Sequence, residues 1–158
     1  MKWIEKAENL INSIFKNNPD EIEKACKVSK LSVEIAKKFK VDEVHQDIIS
    51  AAAMVHNIGI SEQLNVTGFA PVDSFNYLKE NGWCKNIQDV ALYNSQSEKI
   101  ASSTRRDVFN VYLENSQCLS SLLMTDIISY AKYLIYKNEE PTKDFPLNIN
   151  YLNYIKEM

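Results

Sequence analysis

Glycine is nearly missing from this chain: three in 158 residues, at 59, 68 and 82. Loops that cradle phosphates need several glycines close together, so P-loop and dinucleotide-binding chemistry is excluded. No GxSxG elbow occurs. Histidine is scarcer still, with two, His45 and His56. No apolar run approaches the ~18 residues of a membrane helix, so no membrane association is expected. The three cysteines, Cys26, Cys84 and Cys118, are widely spaced and form no CxxC or CxxH pattern. They read as reduced thiols in a cytoplasmic protein. Basic residues form no block beyond Arg105-Arg106, and the net charge is -3. A general nucleic-acid binder is therefore not expected. MKWIEKAENLINSIF places Glu5 and Glu8 inside its apolar pattern, which reads as an amphipathic helix and not a signal peptide.

What remains is helical periodicity, and the expected fold is all-α in a single domain over 1–158. Trp3, Ile4, Ala7, Leu10, Ile11, Ile14 and Phe15 recur at three- and four-residue steps and define a first helix. A second opens at Pro19-Asp20 and runs to Phe39, with Pro in its first turn. The third, VDEVHQDIISAAAMVHNIG, is capped by Asp42, becomes apolar nearly all round from Ile48, and is expected to end at Gly59. A loop, ISEQLNVTGFA, leads to a fourth helix that Pro71 opens and Gly82 closes. A fifth covers about Cys84 to Tyr93, and a long one runs from about Ser116 to Tyr136. Residues 94–107 read as polar and partly helical, 138–148 as a loop, and 148–158 as a short helix.

The two histidines test for metal chemistry. Eleven residues apart on one helix, they share a face but stand about 16 Å apart along the axis. One metal ion cannot hold both, because metal–nitrogen bonds are about 2 Å. His56 and Asn57 are polar residues within AAAMVHNIGI, an otherwise apolar stretch. Burial there requires hydrogen-bond partners for each.

In order along the chain, KVSKLSVEIAKKF, AAAMVHNIGI, NVTGFAPVDSFNYL, VALYNSQSEKIA and LLMTDIISYA resemble the HD-domain superfamily. More narrowly, they look like a small bacterial HD-domain group carrying HDIGY-type and TGFHPLDGA-type segments. TGFxPxD at 67–73 is the most specific stretch, and the resemblance spans about 3–136. It implies a helical fold that holds one or two divalent metals through histidines and aspartates and hydrolyses phosphate esters, including nucleotides. A metal lowers the pKa of bound water and neutralises phosphoryl charge.

The same resemblance implies a depleted site here. Lys24 stands at the family's first histidine, and the His-Asp dyad is His56-Asn57. The histidine of TGFHP is Ala70, the His-His pair is Tyr93-Asn94, and the final aspartate is kept as Asp126. If any metal binds, His56 and Asp126 are its two retained ligands, one fewer than the usual protein complement of a catalytic zinc. The first expectation is an HD-like pseudoenzyme without catalytic residues or cofactor, binding a small phosphate-containing ligand or a protein partner. In it, Lys24 replaces the metal as counter-ion to Asp126. The second is a metal-dependent phosphohydrolase with an altered divalent site, recruiting Asp73 or Glu98. A third is an oligomer-forming helical domain that uses residues 94–107 and the aromatics Tyr136, Phe145, Tyr151 and Tyr154.

Overall fold

The computed structural model describes residues 1–94, 105–115 and 118–137. Among them are seven α-helices and no strand: α1 (Trp3–Ile14), α2 (Pro19–Lys38), α3 (Glu43–Val55), α4 (Ala70–Glu80), α5 (Lys85–Tyr93), α6 (Arg106–Glu114) and α7 (Leu119–Lys137). Two 3-10 turns, Ile58–Ile60 and Glu62–Leu64, join α3 to α4. None of the helices is long and apolar enough to cross a membrane. The expected loop and short helix beyond residue 137, and the polar stretch 95–104 with Glu98, lie outside the described residues, as do Phe145, Tyr151 and Tyr154.

α3 is the organising element. Every residue from Ile49 to Val55 is buried, as its all-round apolar character requires. It packs against α1, α2, α5 and α7. The side chains of Ala51, Ala52 and Ala53, all fully buried, are small enough to let neighbouring backbones come close. Ser29 on α2 donates to the Ser50 carbonyl at 2.9 Å, stitching α2 to α3 inside the core. Asp42 caps α3 as expected, accepting from the His45 amide at 2.8 Å.

The start of α1 has a cap that adjacent sequence does not supply. The Trp3 and Ile4 amides donate to the Asp47 carboxylate at 2.9 and 3.0 Å. Asp47 belongs to α3, so a carboxylate on one helix satisfies the orphan amides and positive dipole end of another. Trp3 also stacks on Trp83, with ring centroids 5.4 Å apart. The Lys6 ammonium lies 4.8 Å from one ring centre and 4.6 Å from the other.

Two helix ends account for positive φ angles at Gly82 and Lys40. Past α4, Gly82 takes φ 75°. Its amide bonds to Lys79 O at 3.3 Å, and the Trp83 amide to Leu78 O at 3.0 Å. This is the Schellman closure expected of Gly82. Past α2 the same closure recurs with a lysine: Lys40 has φ 57°, and Lys40 and Val41 amides bond to Lys37 O and Ala36 O.

Gly59 differs from its expected role. α3 already ends at Val55, with His56 as its cap, and Gly59 lies inside the following 3-10 turn without a positive φ. Its small size is what matters. The Gly59 amide donates to Ser74 Oγ at 2.8 Å, and that hydroxyl donates to Ala70 O at 2.8 Å. A β-carbon at 59 would lie 2.2 Å from Ala70 O.

A helix that the sequence reading leaves unassigned is α6. Val108 and Tyr112 are buried with Val72, Phe75 and Leu92 in a second, smaller apolar cluster. At nine residues, with Val at 108 and 111, α6 has weak intrinsic helicity. Packing against α4 and α5 makes the difference.

Candidate functional site

The end of α3 delivers His56 to the interior. The residue is 4% exposed. Nδ1 lies 2.6 Å from the Ala53 carbonyl. A carbonyl only accepts, so Nδ1 carries the hydrogen, and in the neutral ring Nε2 is then a bare acceptor. Nε2 is buried and has no hydrogen-bond partner. Burial drives the His56 pKa down to about 3; the Lys132 charge pushes the same way, and the Ala53 bond resists. At neutral pH the ring is uncharged.

His56 lines a cavity of about 20 Å³. Its apolar wall is Ile11, Phe15, Ala25, Val28 and Met54, and its polar wall is Glu21, Lys24, His56 and Asn57. Three of the seven candidate positions, Lys24 and the adjacent pair His56 and Asn57, therefore line one cavity, although Lys24 is far from the other two in the chain. Asn57 is half-buried and opens the 3-10 turn. Lys24 is largely in solvent, yet it also lines an open groove of about 430 Å³ with Asp20, Glu23, Lys27 and Ile135. Lys24 thus stands between an outer groove and an inner cavity.

Two participants escape the sequence reading. Lys132, half-buried on α7, has its pKa lowered by burial, partly offset by Glu21. Its charge reaches His56. Glu21, in the first turn of α2, faces both the cavity and Lys132. The sequence does carry a signal for Lys132: it and Asp126 are the charged residues between Leu119 and Tyr136. Charges in so apolar a helix need partners.

The other candidate positions are placed as follows. Ala70 begins α4, its carbonyl held by Ser74. Tyr93 does not line the His56 cavity. Its hydroxyl donates to the Asn115 and Tyr112 carbonyls, and its ring meets Tyr112 edge-on at 5.5 Å, fastening α5 to α6. Asn94 is buried as the cap of α5. Asp126 is half-buried on α7.

The TGFAPVD stretch forms a helix-entry turn. Gly68 takes φ 83°, the Phe69 amide bonds Thr67 Oγ1, and Asp73 Oδ1 accepts from the Thr67 amide at 2.9 Å. Asp73 therefore spends one oxygen on the backbone of its own loop. Among the described residues no three His, Cys, Asp or Glu side chains gather as a metal-holding group. No family model matches the chain, and no curated protein or solved structure matches it either.

Proposed function

We propose that this chain is an HD-like helical protein that binds a small phosphate-containing ligand without hydrolysing it. The observation that carries this reading is the meeting of Lys24, His56 and Asn57 on one cavity. An anion would be held there by the Lys24 ammonium and the Asn57 amide, since His56 Nε2 and the Glu21 carboxylate only accept. The cavity wall offers one neutral imidazole, one amide and one carboxylate, with the Lys24 ammonium beside them and the Lys132 charge reaching the ring. A catalytic divalent metal needs about three converging ligands, mostly anionic or imidazole. In this reading Lys24 and Lys132 supply the positive charge a metal would bring, with Asp126 as counter-ion to Lys24.

A second reading has one observation in its favour. An imidazole that donates Nδ1–H to a backbone carbonyl and keeps Nε2 bare is oriented as metal-ligating histidines are. An altered metal-dependent phosphohydrolase would use it. Elemental analysis of purified protein, with phosphate release from a nucleotide and phosphate-ester panel with and without Mg²⁺, Mn²⁺ and Zn²⁺, separates the two. The binding reading expects no stoichiometric metal, no release, and thermal stabilisation by some panel members. Metal-stimulated release that His56→Ala abolishes would establish the second.

A further inference from the structure

Two of the three cysteines stand at the starts of neighbouring helices. Cys84 caps α5, its carbonyl accepting from the Ile87 amide at 3.1 Å. Cys118 precedes Leu119, the first residue of α7, and its carbonyl accepts from the Leu122 amide at 3.0 Å. α5 and α7 pack against each other. One residue stands between the thiols. The Cys118 thiol donates to Asn86 Oδ1 at 3.3 Å, and the backbone amide of Asn86 bonds the Cys84 thiol. Asp89, further along α5 and 0% exposed, puts its charge on both thiols.

The two thiols are not alike. Cys118 is exposed. Partial burial and the Asp89 charge push its pKa up, but bonds from Ser120 Oγ at 3.3 Å, Ser121 Oγ at 3.1 Å and the Ser121 amide outweigh them, so it lies below the ordinary thiol value. The start of a helix favours a thiolate further. Cys84 is half-buried, and burial, with Asp47 and Asp89, holds its thiol above the ordinary value despite the Ile87 and Asn86 amides. One thiol is therefore primed to attack an oxidant, and the other stays protonated on the far side of Asn86. Asn86 Oδ1 also accepts from Ser121 Oγ at 2.7 Å and Ser120 Oγ at 3.3 Å, which ties the first turns of α5 and α7 together. A carbonyl oxygen and a thiolate both only accept. Ionising Cys118 therefore removes one of the bonds that hold the Asn86 side chain in place.

We infer that Cys118 and Cys84 form an oxidant-sensing thiol pair, in which hydrogen peroxide oxidises Cys118 and Cys84 resolves it as a disulfide. The Cys118 thiolate attacks a peroxide oxygen, the O–O bond breaks, and Cys118 becomes a sulfenic acid as hydroxide leaves. The Cys84 sulfur then attacks the Cys118 sulfur. The S–S bond forms, the S–O bond breaks, and the Cys84 proton leaves with the hydroxyl as water. Two electrons pass from the sulfurs to the peroxide. A disulfide holds its α-carbons within about 7 Å. Closing it displaces Asn86 Oδ1 and frees the Ser120 and Ser121 hydroxyls. Oxidation thus exchanges a hydrogen-bonded tie between the starts of α5 and α7 for a covalent one. The pair is independent of the cavity at His56.

The test treats the intact, reduced chain with stoichiometric hydrogen peroxide and follows it by mass spectrometry. The chain should lose two hydrogens, and peptides mapped without reductant should join Cys84 to Cys118. Cys26 should stay a free thiol and serve as the internal control. Dithiothreitol should restore the starting mass. Cys118 should be oxidised about tenfold faster than Cys26. Cys84→Ser should halt the reaction at a Cys118 sulfenic acid that dimedone traps. Cys118→Ser should leave Cys84 unoxidised at the same dose. If either variant does not fold, the wild-type peptide map still decides. The inference is overturned if wild-type Cys118 stays reduced, stops at the sulfenic acid or passes to the sulfinic acid. It is also overturned by a disulfide to Cys26 or between two chains, or by equal rates at Cys118 and Cys26.

Discussion

Gly59→Ala should cost more stability than any left-handed glycine in this chain, although Gly59 itself is not left-handed. The added carbon would lie 2.2 Å from Ala70 O, 2.8 Å from Ser74 Oγ and 2.9 Å from the Ser74 nitrogen. Favourable contact begins at roughly 3.5 Å. Two of these three atoms are backbone, so no rotamer change relieves the overlap, and the first turn of α4 must retreat by about 1 Å. Overpacking of this kind costs about 1–3 kcal/mol. The retreat also breaks the Gly59–Ser74–Ala70 bridge, both of whose bonds are 2.8 Å. That adds about 1 kcal/mol. A total near 3 kcal/mol lowers the Tm of a domain this size by about 6–12 °C. Gly82→Ala is the control. Its φ is 75° and nothing lies within 4 Å of the new carbon, so it pays only backbone strain, about 1–2 kcal/mol. Thermal and urea unfolding of wild type and both variants measure the difference. If Gly59→Ala stays within ~1 kcal/mol of wild type, or Gly82→Ala costs more, the reasoning fails.

Three further outcomes are expected. Lys40→Gly relieves the left-handed strain at φ 57°, and should raise stability in urea by about 0.5–1 kcal/mol. His56 is neutral in the fold down to about pH 3, whereas the unfolded ring protonates near 6.5. The unfolded state therefore binds the extra proton between those values. Stability should fall as pH drops from about 6.5 toward 3, with a His56 contribution of about 1.4 kcal/mol per pH unit. Urea midpoints across pH 4–7 should show that slope in wild type and lose it in His56→Phe. Finally, the Lys85 ammonium sits 2.7 Å from Oδ1 of Asp89, whose side chain is 0% exposed. The pair is an ion pair rather than an aligned hydrogen bond, because both Asp89 oxygens lack hydrogen-bond partners. Lys85→Met should cost about 3 kcal/mol or more by stranding that carboxylate, and adding Asp89→Asn should recover part of it.

The legible part of the fold is the part that periodicity and local chemistry encode. The long helices, the Asp42 cap and the Gly82 closure follow from residues within a few positions of one another. What escapes the sequence depends on distance along the chain. The cap on α1 comes from Asp47, 43 and 44 residues away. The form of α6 depends on Leu92 and Phe75. Gly59 is misread for the same reason: a glycine after an apolar helix looks like a cap, and only the approach of α4 reveals that it is a space. For the site, the resemblance names Lys24, His56 and Asn57, which meet on one cavity. It also names Tyr93, which the structure turns toward α6. Lys132 lies outside the family's pattern, and its influence on His56 depends on how α7 crosses the end of α3.

The stacked rings of Trp3 and Trp83 have a spectroscopic consequence. The chain has two tryptophans, and they meet in a single contact beneath one ammonium. Intrinsic fluorescence therefore does not average over the molecule but watches one seam, where α1 meets the turn after α4. Far-UV circular dichroism, dominated by every helix at once, watches the whole. If the two signals trace one transition, the bundle melts as a unit. If fluorescence moves first, α1 peels away as its own cooperative piece, and the optics built into this sequence record the order of events.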